Sequence, residues 1–190
     1  MFHDYLTLLL INMTAGLVLL AAYVFLDLDG TNQKRWSPAF AMVGAVAALC
    51  GLHMVWTWPL PGSFNCAYGE TSVLFGVLFL GAALALAKGW GLMPITIYAF
   101  FAGLAAVVVG IRIAHLDMTQ APGMAATGFI LTGLGGMLAF VALQLKSSKA
   151  FRTIGAIVLL IAALIWLVTA VPGIWGHLSM FQDYKPPTMQ

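Results

Sequence analysis

Charge is what this chain of 190 residues has least of: eight Lys and Arg and six Asp and Glu, 7% of the whole. A soluble domain carries about 25% charged residues, so this chain cannot cover its own surface with groups that water solvates. A soluble enzyme, a nucleic-acid binder and a disordered chain are excluded together. Cysteine is nearly absent too, with Cys50 and Cys66 alone, too few for a disulfide framework. Nowhere is there a C-x-x-C, C-x-x-C-H, H-x-x-H or H-E-x-x-H motif, so no local pattern announces zinc, c-type haem or a thiol redox pair. No basic residue precedes the first apolar run, and LDLDG follows it in place of a small-residue cleavage site. The run is therefore expected to persist as a helix and not to be removed as a signal peptide.

What is present is apolar length: 62% of residues are hydrophobic and the mean hydropathy is +1.00. A helix needs about 20 apolar residues to cross a hydrocarbon core about 30 Å thick. Six segments meet that need, at residues 5–26, 37–58, 71–87, 93–115, 122–145 and 153–178. Strands are excluded, because the runs do not alternate and an open sheet edge cannot be satisfied in lipid. The prediction is one all-α domain over residues 1–190, a bundle of six helices in three antiparallel hairpins. The ends after the odd helices hold Lys34, Arg35, Lys88, Lys146, Lys149 and Arg152, against Arg112 and Lys185 at the opposite ends. Basic residues stay on the cytoplasmic side, so both termini are expected outside. Trp36 and Trp90 on one side, with Tyr5, Trp56, Trp58, Tyr68 and Trp175 on the other, suit interfacial belts.

Lipid gives helices no hydrophobic reason to associate, so small residues must let backbones approach. Gly128, Thr132 and Gly136 form one such stripe. Gly44, Ala47 and Gly51 in the second span recur as Gly103, Ala106 and Gly110 in the fourth, and the sixth ends in Gly173-Ile174-Trp175-Gly176-His177. The pattern suggests three like units related in parallel. Pro172 is expected to kink the last span.

Polarity within the spans is one-sided. His3, His53, His115 and His177 all lie at outward ends, with Asn12, Glu70 and Arg112 at the same level. His53 sits five residues inside Trp58, about 8 Å deep, where a polar side chain is expected to face the bundle interior. An arginine among apolar helices needs a partner, which makes Glu70 and Arg112 a candidate charge pair. Imidazoles from different helices commonly grip haem or a metal. On placement alone, His53, His115 and His177 are candidate cofactor ligands, and His53, Glu70 and His115 a candidate metal set for copper or zinc. A chain with no cofactor at all fits the same residues. The ten methionines are scattered and read as packing. Residues 59–69, rich in turn-formers and aromatics, suit a lid over the outer mouth.

The stretches GLHMVWTWPLPGSFN, YGETSVLFGVLFLGAALALAKGW and IYAFFAGLAAVVVGIRI resemble an uncharacterised family of small six-helix membrane proteins of bacteria and archaea, a domain of unknown function. The resemblance runs from the first helix to the start of the sixth. It implies a prokaryotic plasma-membrane location and assigns no activity. Three functions fit these residues: a haem- or metal-binding redox subunit, an accessory subunit of a larger membrane complex or homo-oligomer, and a small-solute or ion transporter. The apolar inner half favours the first and argues against the last, since a transport route needs polar groups through both halves.

Overall fold

The computed structural model describes residues 5–184, which is all-helical. His3 lies outside the described residues. Seven helices follow in order: α1 (Leu6–Leu26), α2 (Ser37–Thr57), α3 (Thr71–Lys88), α4 (Met93–His115), α5 (Pro122–Met137), α6 (Ala139–Gln144) and α7 (Lys149–Met180). A 3-10 turn, Gln33–Trp36, leads into α2, and a π-turn, Asn65–Glu70, leads into α3. Five helices are long and apolar enough to cross a membrane: α1, α2 with its leading turn, α3 with its leading turn, α4 and α7. The fifth predicted span is the exception. It breaks at Leu138 (φ −88°, ψ 1°) into α5 and the short α6. Gly133, Gly135 and Gly136 immediately precede the break, and glycine costs a helix about 1 kcal/mol relative to alanine.

The helices close into a ring. α1 packs on α2, α2 on α3, α3 on α4, α4 on α5, α5 on α7, and α7 returns to α1. The extensive contacts are α2 with α3, α4 with α5, and α7 with α1. These pairs are shifted by one helix from the hairpins that chain order suggests. Their cause is the glycine pattern. A Cβ on Gly44 would stand 2.8 Å from the Leu80 nitrogen and 2.9 Å from the Gly76 oxygen, and one on Gly51 2.7 Å from the Val73 nitrogen. Gly110 meets the Ala126 oxygen on α5 in the same way, at 2.9 Å. Low numbers on one helix meet high numbers on its neighbour, so both pairs run antiparallel. Burial carries the pattern to a third unit. Phe40, Gly44, Ala47 and Gly51 are buried, as are Ala99, Gly103, Ala106 and Gly110, and Leu159, Ala163, Trp166 and Ala170. The matching position on α7 is thus Ala170, one turn before the Gly173 that composition picks out.

The loop before α3 is shorter than expected, because residues 65–70 are wound. Asn65, fully buried, holds the turn: its amide donates to the carbonyls of Leu60 (2.5 Å) and Gly62 (3.4 Å) and accepts from the Leu60 N–H (3.0 Å). At the opposite end, the Asp27 carboxylate accepts from Arg35 Nε at 2.8 Å and from Trp36 Nε1, while Gln33 donates to the carbonyls of Asp27 and Leu28. α7 starts at a Ser148 cap, whose hydroxyl accepts from the Phe151 N–H at 3.3 Å.

Candidate functional site

Within the ring lies a partly open cavity of about 480 Å³ to which each of α1–α7 contributes, a size typical of small-molecule sites. Its wall includes Met13 and Leu17 of α1, Phe75 and Phe79 of α3, Ala99 and Ala106 of α4, and Phe129 and Thr132 of α5. No charged side chain lines it among the described residues. The polar groups on the wall are Tyr23, Thr71, Thr96, Thr132 and Trp166. Three of the hydroxyls are tied to their own helices, Thr71 to the Ala67 oxygen (2.5 Å), Thr96 to Met93 (2.6 Å) and Thr132 to Gly128 (2.7 Å). Each proton is spent on a backbone carbonyl and each oxygen keeps acceptor capacity.

A second, smaller cavity of about 20 Å³ lies beyond the first, with room for about one water. Met13, Thr71, Phe129 and Trp166 line both and so form the neck between them. Aromatic edges hold the neck. Phe129 meets Trp166 at 5.0 Å and 87°, and Tyr68 meets Phe129 at 5.4 Å and 63°. Trp166 Nε1 donates to Thr132 Oγ1 at 3.0 Å, which ties α7 to α5 beside the neck.

The residues singled out by sequence lie elsewhere. His53 is exposed, not turned inward. Tyr5, at the start of α1, supplies its partner: the hydroxyl and Nδ1 are 2.8 Å apart and the rings 5.2 Å apart. Thr57 closes on the same Nδ1 at 3.1 Å. His115 is exposed at the end of α4, and His177 is half-buried against Phe181. Among the described residues no three His, Cys, Asp or Glu side chains gather to hold a metal ion. The proposed ligand sets, His53, His115 and His177 for haem and His53, Glu70 and His115 for copper or zinc, thus have no assembled site. Glu70 and Arg112 are both exposed and do not pair. The salt bridge formed among the described residues is Arg35 to Asp27, 2.5 Å, at the other end of the bundle. Trp36 first, then Arg35, hold the Asp27 carboxyl below the usual carboxylate range against the opposing effect of burial. Asn12 is half-buried and donates to the Val43 carbonyl at 2.9 Å, joining α1 to α2.

Sequence reasoning passed over Tyr23, Thr71, Thr132 and Trp166. The one signal available was Thr132 in the Gly128–Gly136 stripe, which read as packing.

Apolar spans closed round an uncharged hollow define an integral, multi-pass membrane protein. The chain belongs to the DUF981 family, proteins of unknown function, whose model matches residues 1–180. No curated protein matches it. Among solved structures it is similar to the Helicobacter pylori urea channel in its closed state, at TM-score 0.69 and 19% identity over 95% of this chain and 100% of the other. The crystal structure of the urea channel from the same pathogen gives TM-score 0.67 and 20% identity over 95% and 99%. At such identities the likeness is one of fold.

Proposed function

We propose that the protein is a membrane channel for small uncharged solutes, with the central cavity as its lumen and Met13, Thr71, Phe129 and Trp166 as the neck that sets its limiting width. The observation that carries this reading is the uncharged hollow itself, walled by every helix of a closed ring. A packed accessory subunit has no need of one. The likeness in fold to a urea channel supports the same reading. An ion entering this wall would lose its hydration with no counter-charge, at a cost of several kcal/mol or more. A neutral solute of a few heavy atoms forfeits far less, so the wall favours neutral cargo. The apolar half that argued against transport is, on this reading, the lumen wall.

In the same proposal α5 and α6 together make a sixth crossing, and three antiparallel pairs surround the lumen. Both termini lie outside a prokaryotic plasma membrane, opposite the basic ends. The lipid bilayer covers the exposed apolar faces, such as Ile97, Phe101 and Val108 on α4. Reporter fusions after Gln190 and Ser147 should then report opposite sides.

The deciding experiment is stopped-flow light scattering on proteoliposomes. Urea, acetamide and glycerol should equilibrate faster than in protein-free vesicles, with no ionic conductance in planar bilayers. Rates equal to those of empty vesicles for all three overturn the proposal.

A further inference from the structure

Tyr23 carries an unexplained cost. Its side chain is 3% exposed and lines the cavity, yet its hydroxyl is buried with no hydrogen-bond partner. Buried polar groups are almost always satisfied, and each exception in a folded protein needs a reason. Packing cannot be the reason, because phenylalanine would fill the same place. The ring packs edge-on against Trp36 at 5.9 Å and Phe40 at 5.6 Å. Asp27, one turn on, bonds Arg35 and Trp36 through Oδ2 and makes no bond to the Tyr23 hydroxyl.

The rest of the wall sharpens the point. Thr71, Thr96 and Thr132 spend their protons on backbone carbonyls, and Trp166 spends its N–H on Thr132. Every other polar group on the wall thus has no hydrogen left to give, and the threonine oxygens among them can still accept. Among the described residues, Tyr23 holds the one unspent donor of the wall.

We infer that the Tyr23 hydroxyl is the group that recognises the permeating solute, and that the solute class is small neutral molecules bearing an oxygen acceptor, a carbonyl above all. This rests on the channel reading. Such a molecule takes the Tyr23 proton at its oxygen, and any N–H or O–H of its own finds the threonine oxygens. The hydroxyl is buried without a partner, so its free energy falls when a small movement of the ring brings it to a solute that accepts from it. An analogue with a poor acceptor gains nothing from that shift. Selection by hydrogen bonding discriminates more sharply than selection by apolar fit.

The test uses the full-length chain in proteoliposomes, with acetamide and thioacetamide as matched probes, since sulfur accepts hydrogen bonds weakly. Wild type should pass acetamide in clear preference. Tyr23→Phe should lower acetamide flux about two- to tenfold, the worth of one hydrogen bond, and leave thioacetamide unchanged. The same variant should melt about 2–4 °C higher in detergent, because an unpaired buried hydroxyl has been removed. An unchanged acetamide flux, an equal loss for both probes, or a lower melting temperature each overturns the inference. A wild-type preference ratio of one overturns it even if the variant fails to fold. No flux of either probe through wild type defeats the channel reading instead, a result distinct from all of these.

Discussion

Trp166 on α7 and Thr132 on α5 share a hydrogen bond of 3.0 Å at the edge of the neck, where Trp166 is only 2% exposed. Thr132 accepts there while donating to the Gly128 oxygen at 2.7 Å, so one hydroxyl both anchors to its helix and orients the indole beside the cavity.

Thr132→Val keeps the shape and removes that acceptor. The indole N–H would then be buried without a partner, at a cost of about 1–3 kcal/mol. Thermal unfolding in detergent should show the loss, and Thr132→Ser should restore most of it. A freed indole should also blur the size cut-off in vesicle flux assays. Unaltered stability in the valine variant would mean that the bond does not hold the neck.

The Asp27 knot should respond to acid in a defined direction. Its carboxyl is held below the ordinary carboxylate value by Trp36 and Arg35. The unfolded group titrates near about 3.9, so the knot contributes fully above that pH. Its contribution is lost as pH falls through the lower folded value. Melting temperature should be flat between pH 7 and 5 on this account and drop below about pH 4. Arg35→Ala should cost about 1.5–3 kcal/mol, the range for a hydrogen bond to a charged group. Asp27→Asn should flatten the acid limb, and a limb that survives this substitution points to other carboxyls.

Glycines of one composition should behave in opposite ways. Gly44 lies against the backbone of α3, where a Cβ would meet Leu80 and Gly76. Gly44→Ala must part the two helices and should destabilise by about 1–3 kcal/mol. Gly81, in the middle of α3, has nothing within 4 Å of a built Cβ. Gly81→Ala should be neutral or stabilising by up to about 1 kcal/mol. Chemical denaturation of both variants in micelles separates the cases. Equal effects would mean that contact with α3 is not what selects glycine at position 44.

His53→Ala should matter little. The residue is exposed and bonds Tyr5, and an exposed bond of this kind is worth about 1 kcal/mol or less. Solute flux and expression should be unchanged. A visible absorption band in purified wild type that vanishes in this variant would restore the ligand role that sequence suggested.

Much of the architecture was legible because lipid leaves a backbone few choices. Each N–H and C=O must be satisfied within its own helix, so α1, α2, α4 and α7 follow from runs of apolar residues within a few positions. Gly44, Gly51, Gly103 and Gly110 were legible as contact points, because only small residues let backbones meet where no hydrophobic effect drives them together. The partner each glycine would meet was not legible. Spacing within a helix names a face, and only the closed ring shows that the face of α2 meets α3 and that of α4 meets α5.

The site stayed hidden for a related reason. Polar residues at helix ends drew attention to His53, Glu70 and Arg112, yet polar groups near the ends of spanning helices are cheap and commit to nothing. Leu17, Phe75, Phe79 and Phe129 line a hollow, while Ile97, Phe101 and Val108 are exposed on the outside. All are ordinary apolar residues of membrane helices, because an uncharged cavity wall and a lipid-facing wall ask for the same chemistry. Composition and hydropathy alone determined the environment, the helical class and nearly all of the spans. Whether the middle is packed or hollow depends on how helices 20 residues apart in sequence share space, and only the tertiary structure decided that.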